Sequence, residues 1–376
     1  MAMTTSRSSD IVVAGYLGMD LAPGFANAGG GSFAEWFRPG KLIETKGLHL
    51  SLGGVVANTG WAMKKFGCRV ELMGCVGQDP LGDLAVAQLA EAGFPHGIRR
   101  SAATGTAYGI VLAPPGLDRL FLEDPGCNRW FTSNDLDWDV IEQSRLFHFG
   151  YPPLMDTLWA DNGLQLKQML ERVRVGGTVV SLDMALPDPD APAGKADWRA
   201  ILGTTLPLVD IFVPSIEELL LMLDPECYAA TAAQTVDADL IDMLAPEAYA
   251  RLAEEILDMG VKILLIKAGH KGAYLRTGPL TELAAPPLEL TDTTGCPEGI
   301  WLSPEPVNAD RLCNASGAGD CAAAGFLAAL LKGESLATAG HCAMIAGRDN
   351  LYGSDATSGL RNWDVMTAAL NNGNTE

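Results

Sequence analysis

Short apolar runs alternate with amphipathic stretches over most of the chain. Residues 11–14 and 263–266 are continuous apolar runs rich in Val, Ile and Leu, which is typical of strands buried on both faces. Residues 164–175 and 249–259 carry apolar side chains at the spacing of one helix face. Strands that alternate with helices predict an α/β fold, with a doubly wound, mostly parallel sheet flanked by helices.

The same criteria place further elements along the chain. Additional strands are predicted at residues 70–76, 104–113, 118–123, 146–149, 178–183, 210–213 and 273–276. Additional helices are predicted at residues 83–92, 198–206, 215–223, 321–332 and 336–347. Gly15 and Gly18 are expected to open a turn after the first strand. Residues 22–50 fit a small exposed sheet or flap, residues 224–245 a loose, partly acidic insertion, and residues 350–359 a loop.

One glycine-rich stretch stands directly before a predicted helix. Residues 314–320 have the sequence Asn-Ala-Ser-Gly-Ala-Gly-Asp, and the apolar helix begins after them. The free N–H groups of a helix N-terminus and small residues such as Gly317, Ala318 and Gly319 allow a phosphoryl group to approach the backbone closely. The Asp320 carboxylate would repel phosphate, but it could accept the proton of a hydroxyl held beside the phosphate. This pattern predicts phosphoryl transfer.

A second set of polar positions lies near the N-terminus. Asp20 follows the first strand, at the side of an α/β sheet where ligands bind. Gly53 and Gly54 precede a helix whose first turn carries Asn58. These residues could form a pocket for a small polar ligand. Asp20 could instead cap a helix or a turn, and Gly53 and Gly54 could form a tight turn in which Asn58 only caps the helix.

Composition narrows the range of partners. The chain has 376 residues, of which 48% are hydrophobic and 19% charged, and its net charge of −20 makes nucleic acid and anionic membranes unfavourable partners. The eight cysteines form no Cys-X-X-Cys pair, which favours reduced thiols. The N-terminal residues lack a signal-peptide pattern and no apolar run is long enough to cross a membrane, so a cytoplasmic location is expected.

These motifs, in this order, resemble those of the PfkB/ribokinase family of sugar kinases. The family's C-terminal signature, Asp-Thr-X-Gly-Ala-Gly-Asp before a small-residue helix, corresponds to residues 314–320. Its N-terminal signature, Gly-Gly-X-X-X-Asn, corresponds to Gly53, Gly54 and Asn58. The similarity spans residues 10–362, which implies a single ribokinase-like domain with terminal extensions at residues 1–9 and 363–376. Strands within about residues 38–52 and 104–125 would form a small lid over the sugar.

The resemblance also implies roles for individual residues. Asp320 would be the catalytic base, and residues 317–319 would form the anion hole for the γ-phosphate. The sugar-binding set would be Asp20, Gly53, Gly54 and Asn58. The nucleotide would be bound by Ser215, Lys267, Gly269, Gly272 and Asn350, with Glu218 and Asn314 at the metal. ATP and Mg²⁺ are the implied cofactors, and a homodimer is expected. A monovalent cation such as K⁺, bound near residues 350–359, is a further candidate.

Several positions depart from the family pattern. Asn314 and Ala315 replace the Asp and Thr of the signature, Ser215 stands where Asn is expected, and Lys267 stands where Thr is common. These departures leave open a non-catalytic sugar- or nucleotide-sensing protein, although Asp320 favours an active enzyme. Phe33, Trp36 and Phe37 leave open a nucleoside kinase, because a nucleobase needs apolar walls. A phosphorylated acceptor would need a cation such as Lys41, Arg119 or Arg129.

Overall fold

A computed structural model describes residues 7–25, 32–115, 117, 120–235, 239–284, 286–313 and 315–372. Two positions named from the sequence, Asn314 and Arg119, lie outside the described residues. Within the described part of the chain, no helix is long and apolar enough to cross a membrane.

Two sheets form the framework. The strands are β1 (Ser9–Gly15), β2 (Gly18–Phe25), β3 (Thr45–Gly53), β4 (Val70–Gly77), β5 (Ile98–Ser101), β6 (Ala107–Leu112), β7 (Leu120–Asp124), β8 (Ser144–Gly150), β9 (Val179–Asp183), β10 (Ile211–Phe212), β11 (Ile263–Lys267), β12 (Ala273–Thr277) and β13 (Ile300–Leu302). Among the described residues, the larger sheet has nine strands in the order β13-β12-β11-β10-β9-β8-β1-β4-β5, and the smaller has four in the order β3-β2-β6-β7.

Helices accompany both sheets. They are α1 (Phe33–Trp36), α2 (Val55–Lys65), α3 (Pro80–Glu91), α4 (Trp138–Glu142), α5 (Asp156–Val175), α6 (Trp198–Thr205), α7 (Ile216–Leu223), α8 (Pro225–Ala232), α9 (Pro246–Asp258), α10 (Ala318–Leu331), α11 (Leu336–Asn350) and α12 (Trp363–Asn372). Helices α2 to α12 accompany the larger sheet, and the short helix α1 packs against the smaller one. In the larger sheet, β12 pairs antiparallel with β11 and β13, and the other pairings are parallel. The predicted α/β fold, mostly parallel and doubly wound, is therefore confirmed.

The smaller sheet contains a strand that the sequence pattern did not predict. Residues 18–25 were expected to begin as a turn, but they form β2, which pairs antiparallel with β3 and parallel with β6. Both partners are distant in sequence, so the strand is stabilised by pairing that local propensity cannot reveal. Strands β3, β6 and β7 overlap the two ranges in which lid strands were predicted.

Two further segments differ from their predictions. Residues 224–245 are not a loose insertion throughout, because α8 begins there, with the Asp224 carboxylate accepting a hydrogen bond from the Cys227 N–H at 3.2 Å. Asn350 was predicted to start a loop, but it is the buried last residue of α11. A polar side chain at a helix end looks like a loop residue in sequence when its hydrogen-bond partners come from elsewhere in the fold.

The first strand of the larger sheet approaches its neighbour very closely at Gly15. This residue has a φ of +127°, and a Cβ atom there would lie 2.3 Å from the Gly150 carbonyl oxygen at the end of β8. Gly203, in contrast, lies exposed in α6 with no atom within 4 Å of the corresponding position. The two glycines therefore differ in what a methyl group would meet.

We expect Gly15→Ala to lower the free energy of unfolding by about 2–4 kcal/mol, because it combines backbone strain with a steric clash. Gly203→Ala is the matched control and should stabilise the protein by about 0.5–1 kcal/mol, since alanine restricts the unfolded chain and favours a helix. Urea unfolding of both variants measures the difference. Wild-type stability of Gly15→Ala would contradict the close approach of β1 and β8.

Candidate active site

Four neighbouring parallel strands end in polar residues at the same edge of the larger sheet. Tyr151 follows β8, Asp183 ends β9, Ser215 follows β10 and Lys267 ends β11. The register pairs Gly150 with Asp183, and a further bridge joins Ser215 to Lys267. The carboxyl edge of a parallel sheet is where open α/β folds bind their ligands, so this row marks the candidate site.

The N-terminus of α10 faces this row. Gly317 is its N-cap residue, with a φ of +78°. A Cβ atom on Gly317 would lie 2.6 Å from the Ala356 Cβ atom and 3.3 Å from the Asn58 Nδ2 atom, so a larger residue would be strained. The N–H groups of the first helical turn lack acceptors four residues earlier, although that of Ala318 makes a long bond of 3.4 Å to the Ala315 carbonyl oxygen. This helix start can receive an anion.

The Asp320 carboxylate is buried in the first turn of α10, with 2% of the residue exposed. The Asn58 amide donates a hydrogen bond to its Oδ2 atom at 2.8 Å. The Tyr151 hydroxyl lies 2.8 Å from Oδ1 and 2.7 Å from Oδ2. Burial raises the pKa of Asp320, while the hydrogen bond from Asn58, the charge of Lys267 and the hydrogen bond from Tyr151 oppose the rise.

Asp20 lies on β2, between strands β3 and β6 of the smaller sheet. It pairs in register with Ser51 on β3 and with Gly109 on β6. A Cβ atom on Gly53 would lie 2.7 Å from the Asp20 Oδ1 atom, so only glycine at this position leaves room for the carboxylate. Burial raises the pKa of Asp20 to about 6, and the negative charges of Glu123 and Asp320 add to the rise.

Gly54 brings the start of α2 against Tyr16, the residue that directly follows the first strand. It has a φ of +84°, and a Cβ atom there would lie 2.6 Å from the Tyr16 carbonyl oxygen. The helix that follows places Asn58 one turn later, where its side chain meets Asp320. Asn58 and Asp320 are 262 positions apart in the sequence. The fold therefore brings the paired glycines and Asn58 to the same site as Asp320.

A buried ion pair lies beside the glycine-rich turn. The Lys267 Nζ atom donates to both carboxylate oxygens of Asp183, at 2.7 and 2.8 Å, and Asp183 is fully buried. A Cβ atom on Gly319 would lie 3.5 Å from this ammonium group. Burial raises the pKa of Asp183, and the charge of Lys267 opposes that rise. The ammonium group is thus the positive charge that borders the N-terminus of α10.

Ser215 and Glu218 form the start of α7. The Ser215 N–H donates to the Glu218 Oε2 atom at 2.6 Å, and the Glu218 N–H donates to the Ser215 hydroxyl at 3.3 Å. This reciprocal pair is a capping box. Burial raises the pKa of Glu218, against the charge of Lys267 and the hydrogen bonds from Ser215. Ser215 therefore fixes the orientation of a buried carboxyl group next to Lys267.

The other predicted nucleotide-side residues lie in supporting positions. Gly269 and Gly272 turn the chain between β11 and β12, where Cβ atoms would lie 2.9 Å from the Ile241 Cδ1 atom and 2.0 Å from the Leu302 carbonyl oxygen. The buried Asn350 amide donates to the Ser316 and Ala356 carbonyl oxygens at 3.0 and 2.6 Å. Asn350 thus ties the glycine-rich turn to residues 355–358.

Two contacts of this site were not among the predicted site residues. Asp183 had a usable signal, because an acid directly ends a buried strand. Tyr151 had no such signal, since a tyrosine before two prolines is an ordinary loop residue in sequence.

In the part of the chain that the structure describes, no three His, Cys, Asp or Glu side chains are grouped closely enough to hold a metal ion. A divalent cation here would need additional oxygen ligands from water or from a bound phosphate.

Comparison with known proteins identifies the family. The model of the pfkB family of carbohydrate kinases matches residues 31–296, a range that ends before the glycine-rich turn. A protein of Archaeoglobus fulgidus named "Uncharacterized sugar kinase" is 25% identical over 282 residues, covering 74% of this chain and 89% of the relative. A protein of Arabidopsis thaliana named "Probable fructokinase-4" is 23% identical over 299 residues, covering 78% and 81%.

The fold has a close counterpart among solved structures. The structure of Arabidopsis thaliana ribokinase complexed with ribose and ATP superposes with a TM-score of 0.70 at 19% identity, covering 96% of this chain and 98% of that chain. This likeness concerns the fold. Because the family match covers more than half of the sequence, the chain belongs to the pfkB family of carbohydrate kinases, which are phosphotransferases that act on an alcohol group.

Proposed function

We propose that this protein transfers the γ-phosphoryl group of ATP to a hydroxyl group of a sugar. The observation that carries the proposal is the position of Asp320. Its carboxylate is buried in the first turn of α10, next to N–H groups that can receive a phosphoryl group, and it is held by Asn58. A base and an anion site in one helical turn are what transfer to a hydroxyl requires.

In this mechanism the acceptor hydroxyl binds beside the Asp320 carboxylate, and the phosphoryl group binds at the backbone N–H groups that begin α10. Asp320 accepts the proton as the oxygen attacks phosphorus, and the backbone at residues 317–319 stabilises the negative charge on the transferring group. Phosphoryl transfer has a loose transition state, so correct positioning contributes more than a strongly basic carboxylate. The hydrogen bond from Asn58 contributes to this positioning, since it restricts the Asp320 carboxylate to one orientation.

The acceptor would be bound on the side of the smaller sheet. Asp20 can accept hydrogen bonds from sugar hydroxyls, and Gly53 and Gly54 allow the sugar to approach the backbone. Asn58 borders the same space and already contacts Asp320. The smaller sheet then acts as a lid that excludes water from the reaction.

The nucleotide would be bound on the side of Lys267. Its ammonium group lies beside Gly319 and can contact a phosphate oxygen, and the turn at Gly269 and Gly272 forms the adjoining edge. The carboxyl groups of Glu218 and Asp183 are oxygen donors of the kind that Mg²⁺ prefers, and their raised pKa values fit a site that gains stability from a cation. When bound, Mg²⁺ would neutralise phosphate charge. The K⁺ site near residues 350–359 and the metal contact of Asn314 stay predictions.

The aromatic residues near the lid favour a sugar over a nucleoside. Phe33 and Phe37 are stacked with ring centroids 5.6 Å apart, and Phe25 packs edge-on against Trp36 and Phe37. These rings therefore pack against one another and anchor α1 to β2.

Arg129, a candidate ligand for a phosphorylated acceptor, already pairs with Asp156 at 3.3 Å, and Lys41 lies over the Trp36 ring.

We also propose that the protein forms a homodimer through the edge of the smaller sheet. Strand β7 is an edge strand on which Leu120, Phe121 and Leu122 are 40%, 46% and 51% exposed. Such an edge can pair with a second copy.

Leu122→Glu should convert dimers into monomers in light scattering, whereas Leu42→Glu, at a residue 92% exposed and outside the strand, should not. A wild-type monomer at high concentration would contradict the proposal.

We expect Asp320→Asn to lower turnover by about 10²–10⁴-fold, because asparagine cannot accept the hydroxyl proton. Binding of ATP and sugar should change little, since the side chain keeps its size. The measurement is ATP consumption with a panel of sugars and nucleosides, together with calorimetric binding of ATP. Asp139→Asn, an exposed position on α4, is the control. Turnover near that of the wild type in Asp320→Asn would remove the proposed base, and a preference for nucleosides would reject the sugar assignment.

The KM for the sugar should rise as the pH falls through about 6, because protonation of Asp20 removes an acceptor of sugar hydrogen bonds. The KM for ATP should not follow the same curve. Asp20→Asn should have a raised KM for the sugar at neutral pH that no longer varies in this range. An effect of Asp20→Asn confined to the KM for ATP would show that the two substrate sides were assigned in reverse.

A further inference from the structure

Tyr151 lies at the centre of the site and has an unfavourable backbone conformation. Its φ of +69° places a bulky residue in the left-handed region, which such residues rarely adopt. Its N–H bonds to the Asp183 carbonyl oxygen at 3.3 Å, and its own carbonyl oxygen accepts from the Leu154 N–H at 3.0 Å. Backbone strain of this kind persists where the surroundings enforce it, and it is concentrated at functional sites.

The strained backbone directs the phenol ring toward Asp320. The hydroxyl group lies within 2.8 Å of both carboxylate oxygens, and Asn58 bonds to Oδ2 from the side of α2. Two donors on different elements leave the carboxylate little rotational freedom. The ring also lies 6.2 Å from the Tyr16 ring, centroid to centroid, so packing restricts the phenol as well.

We infer that Tyr151 is a positioning residue that orients the Asp320 carboxylate and stabilises its ionised form. This inference rests on the proposed role of Asp320 as the base. In the transfer step the acceptor proton moves from the hydroxyl oxygen to Asp320, the oxygen–phosphorus bond forms, and the bond from phosphorus to the leaving phosphate breaks. Tyr151 keeps its own proton throughout. Burial raises the pKa of this phenol well above its ordinary value, which agrees with a permanent donor.

Removal of the Tyr151 hydroxyl group should change the pKa of Asp320 in a definite direction. A hydrogen bond to the ionised carboxylate lowers the pKa of Asp320, so its loss raises that pKa. The base is then protonated at pH values where it was ionised before, and activity is lost there. The other titratable groups that face Asp320 stay in place, namely Asp20 on β2, Asp183 on β9, Glu218 on α7, Lys267 on β11 and Cys321 on α10.

The test is the variant Tyr151→Phe, which keeps the ring and removes only the hydroxyl group. We expect kcat to fall by about ten- to a hundredfold, as for the loss of a hydrogen bond to a charged group, with both KM values changed by less than about threefold. The acid limb of the kcat profile should move to higher pH. Unchanged kcat with an unmoved acid limb would overturn the inference, and so would a faster enzyme, since that would mean the phenol blocks the base.

Tyr249→Phe is the matched control. Tyr249 lies on α9, is 1% exposed and packs against Trp301 with ring centroids 4.8 Å apart. Among the described residues its hydroxyl group has no hydrogen-bond partner. Loss of this hydroxyl should leave kcat and the acid limb as in the wild type. A structural role for Tyr151 would lower the unfolding temperature without moving the acid limb.

A second substitution covers the case in which Tyr151→Phe folds poorly. Difluorotyrosine at position 151 keeps the ring and hydroxyl and makes the phenol a stronger donor, so the acid limb should move to lower pH. An unmoved limb would again overturn the inference. Asp320→Asn separates the two proposals: if it retains turnover, the base assignment fails, whereas an inactive Asp320→Asn with unaffected Tyr151 variants rejects only the role of Tyr151.

Discussion

The arrangement of the site depends on a buried carboxylate that must be kept in one orientation. Asp320 sits in the first turn of α10, where the helix terminus favours its charge, and burial disfavours that same charge. Hydrogen bonds from Asn58 and Tyr151 offset the loss of water. These donors come from α2 and from the end of β8, so the carboxylate is held in this position only when the paired glycines, the larger sheet and α10 are all assembled.

A second constraint is the distribution of charge around this carboxylate. Lys267 is paired with Asp183 and borders Gly319, whereas Asp20 and Glu123 lie on the side of the smaller sheet. The positive charge therefore faces the proposed phosphate side and the negative charges face the proposed acceptor side. A buried ion pair of this kind contributes little net stability, because desolvation offsets the attraction. The position of this ion pair therefore agrees better with the proposed role of Lys267 in nucleotide binding than with a role in stabilising the fold.

The sequence pattern predicted those features that depend on short stretches of chain. The buried strands at residues 11–14 and 263–266, the alternation with helices and the glycine-rich helix start each follow from local periodicity and from the conformational freedom of glycine. Strand β2 was missed because its pairing with β3 and β6 supplies the stability that its Gly- and Pro-containing sequence lacks. Helix α8 was missed because a short helix with a weak apolar pattern looks like a loop.

The sequence by itself therefore determined the fold class, the family motifs and the chemical type of the central residues, since glycine spacing and a single acid are local features. Only the tertiary structure decided which groups meet. Asn58 and Asp320 are separated by 262 positions and Tyr151 and Asp320 by 169, yet both pairs are in hydrogen-bond contact. Burial, which shifts the pKa values of Asp20, Asp183 and Asp320, is likewise a property of the packed fold, because it depends on atoms from distant segments that exclude water.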